Sequence, residues 1–599
     1  MHQVATEVNL NKPSKRAVIS FRRNQLFFIG FNILFTLFVI RAIGMHFHTP
    51  YSEKLDQIAE RQYHRSITVD SYRGSILDRR GQPLAISIKK TSLFVNPRIF
   101  NPTNSEINDL SKILNIKTSR IISISKKSSY FAWLKRKVDS QLAKNILDKN
   151  IVGVFAISEP ARYYPQGDII AHTVGISGTD NIGLTGIEKS YNSYLKGDKS
   201  QVTRQSDAKG RPIFVSAANA RPEKAGNSVY LTIDLALQEI AAKALQRGVD
   251  KAKSKAGFVI VSDPYTGRIL AQSNYPSFNP NNLKTLNSEN RRNRGFADLI
   301  EPGSVVKPIL IARALEMNAV SVHEEIFCFN GLYRGNRWRI SDAHPHATLS
   351  VQDIISKSSN IGTYLIAQKM GPRMVYQTYK DNGFGSEIQR LDIPGQAVGR
   401  LADWKNWSEH RFSNIAFGQG FMTSALDIIG AYNAIANGGK LMQPLIIDHI
   451  KNADNSIAKS FQPKVVDQIM TPETSEKMRR ILQYTVDHGT GKNAQLSHYT
   501  SGGKTGTSEK VDPETKAYSD NLRIASFVGF APAIDPHLVI YVVIDEPSNK
   551  PYFGGTWAAP VFKEVAEKGL KYLNVSPDKN ISSSQADLKG VLDHININL

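Results

Sequence analysis

The chain has 599 residues, 41% of them hydrophobic and 21% charged, values that exclude a disordered polymer and leave room for several domains. Lys and Arg outnumber Asp and Glu by 75 to 53, a net charge of +22, which points to an anionic partner: nucleic acid, anionic lipid or an acidic polymer. The absence of zinc-finger spacing, an RNP-like motif or a concentrated basic stripe argues against nucleic acid, and the single cysteine, Cys328, excludes an intramolecular disulfide and reads as a small, inert apolar residue.

In chain order, residues 1–25 form a basic tail, with Lys12, Lys15, Arg16, Arg22 and Arg23 against Glu7. Residues 26–47 follow as an apolar run long enough to span a membrane if Arg41 snorkels. The charge asymmetry holds the tail in the cytoplasm, and no small-residue cleavage site follows the run, so an uncleaved anchor is expected. From 48 to 228 short strand-like and helix-like pieces alternate. In "RGSILDRRGQPLAIS" a turn separates two apolar stretches, and "SLFVNPRIF" and "YYPQGDIIAHTVGISG" read as strand and turn pieces.

The texture changes at 229. Asp234 is placed to N-cap the apolar-periodic "LALQEIAAKALQRGV". "AGFVIVSDPYTGRILAQS" reads as a hairpin, and helical patterns dominate from about 304 to 490. Three strand patterns ("GGKTGTSEK", "IASFVGFAPA", "LVIYVVID") and a helix, "APVFKEVAEKGLKYL", close a domain over 229–575. Strands from both of its ends are expected to form one antiparallel sheet packed with helices, an α+β architecture. Residues 576–599 are a polar tail.

One pair of residues raises the question of chemistry. In "EPGSVVKP", Ser304 and Lys307 stand three apart, on one face of any helix that starts there. Alone the pair reads as a helix start with a surface serine and lysine, and Ser87/Lys90, Ser123/Lys126 and Ser206/Lys209 have the same spacing. What changes the reading is company. Ser358-Ser359-Asn360 follows, then Lys504-Thr505-Gly506-Thr507, in the order of the SxxK, SxN and KTG motifs of penicillin-binding proteins and class A β-lactamases. Free N–H groups at a helix start suit a developing oxyanion. A lysine of ordinary pKa, near 10.4, is no base at neutral pH, but burial and a second cation such as Lys504 would lower it. His344 and His346, without a third ligand pattern, read as structural or exposed, and Asp545-Glu546 as a solvated strand end.

At this point the sequence resembles a known family. From the anchor to about residue 573 it looks like a class B penicillin-binding protein, of the division transpeptidase type (penicillin-binding protein 3, FtsI type). "RGSILDRRGQPLAIS", "RYYPQGDIIAHTVG" and "GLTGIEKSYNSYLKG" resemble the boxes of the family's pedestal domain, expected over 48–228. "FADLIEPGSVVKP", "KSSN", "FGQGFMTSALDIIGAYNAIANGG", "KTGTSEK" and "YFGGTWAAPVF" resemble those of its transpeptidase domain, a serine β-lactamase-like fold. Glu301, the SSN motif and Thr505 favour the division type over the elongation type, and Val305-Val306 stand where Thr-Val is common.

The resemblance implies a peptidoglycan D,D-transpeptidase. Ser304 would be the nucleophile and Lys307 would take its proton; Ser358 would relay a proton to the leaving D-alanine and Asn360 would bind the stem peptide. Lys504 would supply positive potential, Thr505, Gly506 and Thr507 would hold the substrate's carboxylate end, and the N–H groups of Ser304 and Thr507 would form the oxyanion hole. It also implies no metal or organic cofactor, acylation by β-lactam antibiotics, and attachment to the bacterial inner membrane with the catalytic domain periplasmic, at the division septum. The partners would be peptidoglycan stem peptides, an FtsW-type membrane glycosyltransferase and other divisome proteins. Rival readings are an elongation-type transpeptidase, a D,D-carboxypeptidase or β-lactamase passing the acyl group to water, and a non-catalytic β-lactam sensor.

Overall fold

The structure, a computed structural model, describes residues 15–47, 64–206, 212–215 and 225–579, except 389, 392, 513 and 516. The basic stretch before residue 15, residues 48–63, 207–211 and 216–224 of the expected pedestal, and the polar tail from 580 lie outside the described residues. The chain divides into two compact units, residues 1–69 with 199–221, and residues 70–198 with 222–599.

In the first unit a helix runs over Lys15–Phe47. Its stretch Arg22–Gly44 has a mean hydropathy of 2.2, and among the described residues it alone is long and apolar enough to cross a membrane. Its apolar side chains are exposed all round, Phe27 at 80% and Phe38 at 73%, as in a helix whose solvent is not water. The unit also holds a sheet of His64–Asp70, Lys199–Ser206 and Pro212–Val215, in that order.

The second unit is organised by two sheets. The larger has the order Ile457–Ser460, Ile447–Lys451, Ser228–Leu231, Ile76–Leu77, Pro83–Val95, Ala132–Val138, with Val154–Tyr163 also paired to Pro83–Val95. Asp78–Gln82 makes the expected turn, with Gly81 at φ +82°. "IIAHTVG", expected as strand and turn, instead turns into the short helix Ala171–Val174, which buries all four of its residues. Ser228–Leu231, at the boundary where the composition changes, is a shared strand. It runs parallel to Ile76–Leu77 on one side and antiparallel to Ile447–Lys451 on the other.

The smaller sheet is fully antiparallel, in the order Ile269–Tyr275, Ala256–Ser262, Leu538–Asp545, Tyr518–Ala531, Gly502–Val511. Strands from both ends of the domain meet here, as their apolar patterns imply. Ala256–Ser262 is buried along its whole length, because helices cover both faces of the sheet. One face packs the helices Leu235–Ala252 and Gly554–Tyr572. The Asp234 carboxylate caps the first, accepting from the N–H groups of Ala236 and Leu237. The second starts at Gly554 rather than at Ala559, where the apolar pattern begins. A Cβ at Gly554 would overlap the carbonyl oxygens of Ser526 and Gly506, so only glycine lets the helix start against this sheet.

The other face carries the helices Lys307–Glu316, Ala425–Ala436 and Pro472–His488. Every residue of Ala425–Ala436 is buried. Its Ser424/Asp427 capping box satisfies donors that water cannot reach there, and burial pushes the Asp427 carboxyl up to about 6.

Candidate active site

The Ser304 turn is built on glycines. Gly303 has φ +59° and opens a 3-10 turn over Gly303–Val306; the α-helix proper begins only at Lys307. A helix opening at Ser304 was the sequence expectation, and the tighter turn places residues i and i+3 more nearly one above the other. The turn is wedged between two segments. Gly303 donates its N–H to the carbonyl of Gly418 at 2.9 Å, and Gly418, at φ +90°, has no room for a Cβ against Gly303. On the other side a Cβ at Gly506 would meet Ser526 Oγ at 2.3 Å and Val305 Cγ1 at 2.9 Å. Tyr432, from the buried helix, donates its hydroxyl to the Val305 carbonyl at 2.9 Å. Ser304 itself is half-buried in this frame.

Lys307 is fully buried. Its Nζ donates to the carbonyl oxygen of Ser358 (2.7 Å), to Ser358 Oγ (3.3 Å) and to Asn360 Oδ1 (2.7 Å). The SxxK and SxN motifs are thus joined by direct hydrogen bonds across more than fifty residues of chain. Among the described residues no carboxylate touches the amine. Burial pushes its pKa down to about 7, against a smaller upward pull from Asp342. A group with that pKa exchanges its proton at neutral pH.

Ser358 has φ +62°, a strained value for a serine. The residues around it hold it there. Ser359 N-caps the helix Asn360–Met370, accepting from Gly362 N–H at 2.9 Å. The Ser359 hydroxyl donates to Asp342 Oδ2 at 2.6 Å, and the N–H groups of Asn360 and Ile361 donate to Asp342 Oδ1 at 2.6 and 3.1 Å. One carboxylate therefore satisfies the helix start and fixes the motif. Asn360 Nδ2 donates to the carbonyl of Ser341 at 3.0 Å, which leaves its Oδ1 facing Lys307.

Neither Asp342 nor Ser341 stands out in the sequence. The histidines beside them in "SDAHPH" are exposed (His344) and partly exposed (His346), as their lack of a third ligand pattern implies. Cys328 is buried, its thiol pushed up by desolvation; it donates to the Ile326 carbonyl at 3.4 Å and accepts from the Ser359 hydroxyl at 3.8 Å.

The third motif lies on the edge strand Gly502–Val511 of the antiparallel sheet. Lys504 is fully buried, its Nζ donating to the carbonyl and Oγ1 of Thr505 at 3.0 and 3.2 Å. Burial holds its pKa well below the ordinary lysine value, and the charge of Lys307 lowers it further, so the two amines sense one another. Thr505 Oγ1 donates to Thr490 Oγ1 at 2.9 Å, and the Thr507 hydroxyl accepts from Gly554 N–H at 3.3 Å. Thr490 is another contributor that the sequence did not advertise.

Two buried amines that sense one another, a half-buried serine on a tight turn, and a strand with hydroxyls are the groups that acyl transfer needs. Residues 257–567 match the penicillin-binding protein transpeptidase domain, and residues 68–231 the penicillin-binding protein dimerisation domain. The chain is 32% identical over 570 residues to the stage V sporulation protein D of Bacillus subtilis, covering 94% of this chain and 88% of that one. It is 30% identical over 520 residues to the peptidoglycan D,D-transpeptidase FtsI of Escherichia coli, covering 85% of each. In structure it is similar to penicillin-binding protein 3 of Mycobacterium tuberculosis complexed with aztreonam, at a TM-score of 0.67 and 24% identity, covering 86% of this chain and 98% of that one. The chain belongs to the class B penicillin-binding proteins, with a dimerisation and a transpeptidase domain. It is a serine-type peptidoglycan D,D-transpeptidase.

Proposed function

We propose that this transpeptidase works through Ser304 and serves septal cell-wall synthesis, as the division type does. The observation that carries the site assignment is the buried Lys307 amine. It is bonded to Ser358 and Asn360, follows Ser304 by three residues, and has a pKa near neutrality.

Acylation then proceeds as follows. The Ser304 hydroxyl gives its proton to neutral Lys307 and its oxygen forms a bond to the carbonyl carbon of the D-Ala–D-Ala amide. The N–H groups of Ser304 and Thr507 hold the oxyanion. The C–N bond breaks, and the leaving D-alanine amine takes a proton through Ser358 from protonated Lys307. Asn360 positions the donor peptide. Lys504, with Thr505, Gly506 and Thr507, holds the terminal carboxylate. An amine of a neighbouring stem peptide next attacks the ester, loses a proton, and returns the hydroxyl to Ser304, which leaves a cross-link. β-Lactams acylate the same serine; the bound aztreonam of the mycobacterial protein supports this.

Glu301, Ser358-Ser359-Asn360 and Thr505 support the division type. Glu301 is also built into the site, accepting from the Tyr518 hydroxyl at 2.8 Å and from Gly420 N–H at 3.0 Å. The helix Lys15–Phe47 is the single membrane anchor of this reading. The N-terminus is cytoplasmic, the catalytic domain is periplasmic, and an FtsW-type glycosyltransferase and other divisome proteins are the partners.

Labelling of the full chain in detergent with a fluorescent penicillin tests the site. One adduct, stable for hours and lost in Ser304→Ala, is expected. An adduct that persists in Ser304→Ala rejects the nucleophile, and one that hydrolyses within minutes moves the reading to a carboxypeptidase or lactamase. Depletion of the protein in growing cells tests the cellular role: filaments without septa are expected, and round cells would indicate elongation instead.

A further inference from the structure

The hairpin that leads into Asp342 has a composition that neither the fold nor the reaction as described explains. Its strands, Leu332–Arg334 and Arg339–Ser341, pair with Leu332 opposite Ser341, Tyr333 opposite Ile340 and Arg334 opposite Arg339. Tyr333 and Ile340 face inward, Ile340 fully buried; Leu332, Arg334, Arg339 and Ser341 are exposed, as the period of two requires. Two arginines therefore stand directly opposite one another on the solvent face, an arrangement that destabilises a ladder. A third, Arg337, occupies the turn with φ +65°. No acidic residue lies between Phe327 and Ser341.

This hairpin is attached to the catalytic groups at one end. Ser341, two residues after Arg339 and on the same face, holds Asn360 through its carbonyl, and Asp342 holds the SxN motif. The Cα atoms of Arg339 and Ser341 are within about 7 Å of one another by chain geometry. Like charges, a strained turn residue and rigid attachment to the site together describe a receptor for an anion that the free protein does not supply. Guanidinium forks select carboxylates through paired hydrogen bonds.

We propose that Arg334, Arg337 and Arg339 form a specificity subsite that binds a second, internal carboxylate of the peptidoglycan donor strand. The proposal deepens the transpeptidase reading above and rests on it, since that reading assigns the terminal carboxylate to the Thr505–Thr507 strand and leaves an internal one unclaimed. The exposed rings of Phe327 and Phe329, tilted against one another with centroids 4.9 Å apart, precede the hairpin and offer an apolar surface to the same strand.

The test uses the full chain in detergent with two synthetic donor peptides ending in D-Ala-D-Ala, one with an internal carboxylate and one with that group converted to the amide. Wild type is expected to bind the acidic peptide about tenfold more tightly, through KM rather than kcat, with a preference that shrinks at high salt. Arg334→Ala/Arg339→Ala removes the preference, and Arg334→Lys/Arg339→Lys, which keeps charge without the fork, restores only part of it. Equal KM values for the two peptides in wild type, or an unchanged preference in the alanine variant, overturn the proposal. Fluorescent penicillin keeps the two levels apart. If it labels wild type and the alanine variant while the peptide preference is absent, only the subsite is wrong. If it fails to label wild type, the Ser304 reading falls and the subsite with it.

Discussion

Two places in the second unit bury cations completely, and they do so in opposite ways. In the dimerisation region, Arg73 is enclosed with its Nε on Glu188 Oε2 (2.5 Å), Nη2 on the Glu188 carbonyl (2.7 Å) and Nη1 on Asn181 O (3.1 Å) and Asn192 Oδ1 (2.8 Å). Arg162 takes the other oxygen of the same carboxylate at 2.6 Å. At the candidate active site, Lys307 and Lys504 are just as buried, but their partners are carbonyl and hydroxyl oxygens, and among the described residues no carboxylate touches either amine. A guanidinium cannot be deprotonated in a protein, so burying it requires a full set of partners. An amine can give up its proton, so withholding the counter-ion turns burial into a lowered pKa. The same desolvation makes a clasp in one place and, in the other, amines of lowered pKa, the property the proposed base requires.

The widest separation between the two sites comes from removing each site's key group. Lys307→Met should lower the rate of penicillin acylation by roughly 10⁴-fold, the scale on which a proton acceptor beside a nucleophile acts. It should shift the melting temperature by no more than about 3 °C, since the apolar isostere relieves the desolvation of the amine while it strands Asn360 Oδ1. Stopped-flow labelling and calorimetry read the two quantities. A variant that unfolds would show that Lys307 is a clasp too.

The clasp is broken from the other side. Glu188→Ala leaves two buried guanidiniums without their shared carboxylate and should cost about 3–5 kcal/mol of stability, read from chemical denaturation. Its penicillin acylation rate, normalised to folded protein below the transition, should stay within about twofold of wild type. Loss of acylation in folded protein would mean that the shared strand Ser228–Leu231 carries strain from one site to the other.

The smallest effect probes Asp342, the carboxylate whose charge reaches Lys307. Acylation needs neutral Lys307, so its rate should rise with pH and reach half its maximum near 7. Asp342 raises that pKa. Asp342→Asn should therefore move the midpoint to lower pH, while looser placement of Ser359 and Asn360 lowers the plateau by about tenfold. An unmoved midpoint would restrict Asp342 to a capping role. Stability has its own signature. Because the folded pKa of Lys307 lies below the unfolded value near 10.4, the cost of burying it is full below pH about 7 and fades as pH rises toward 10.4.

Much of this was legible in the chain itself. Ser304, Lys307, Ser358, Asn360, Lys504 and Thr505 stand out as motifs because of their fixed short spacings, and the structure brings Lys307 onto Ser358 and Asn360 and within reach of the charge of Lys504. The apolar helix, the Asp234 cap and the strands of the antiparallel sheet follow from periodicity, which burial of one face or of both imposes locally. Asp342 was not legible, since its partners lie seventeen to nineteen residues on and no periodicity marks a carboxylate that caps a distant helix. The boundary at 228–229 is a real change of composition, yet the strand that crosses it belongs to one sheet with residues from both sides.

The sequence by itself therefore determined which residues form the three motifs and where the apolar helix and the strands of the antiparallel sheet lie. It could not determine their electrostatics. Whether a lysine is base or ion pair, and whether an arginine is a clasp or a bare receptor, depends on which groups approach within about 3–4 Å. Those groups come from anywhere in the chain: Glu188 reaches Arg73 across 115 residues, and Asn360 reaches Lys307 across 53. Only the packed tertiary structure, which excludes water and selects the partners together, sets that environment.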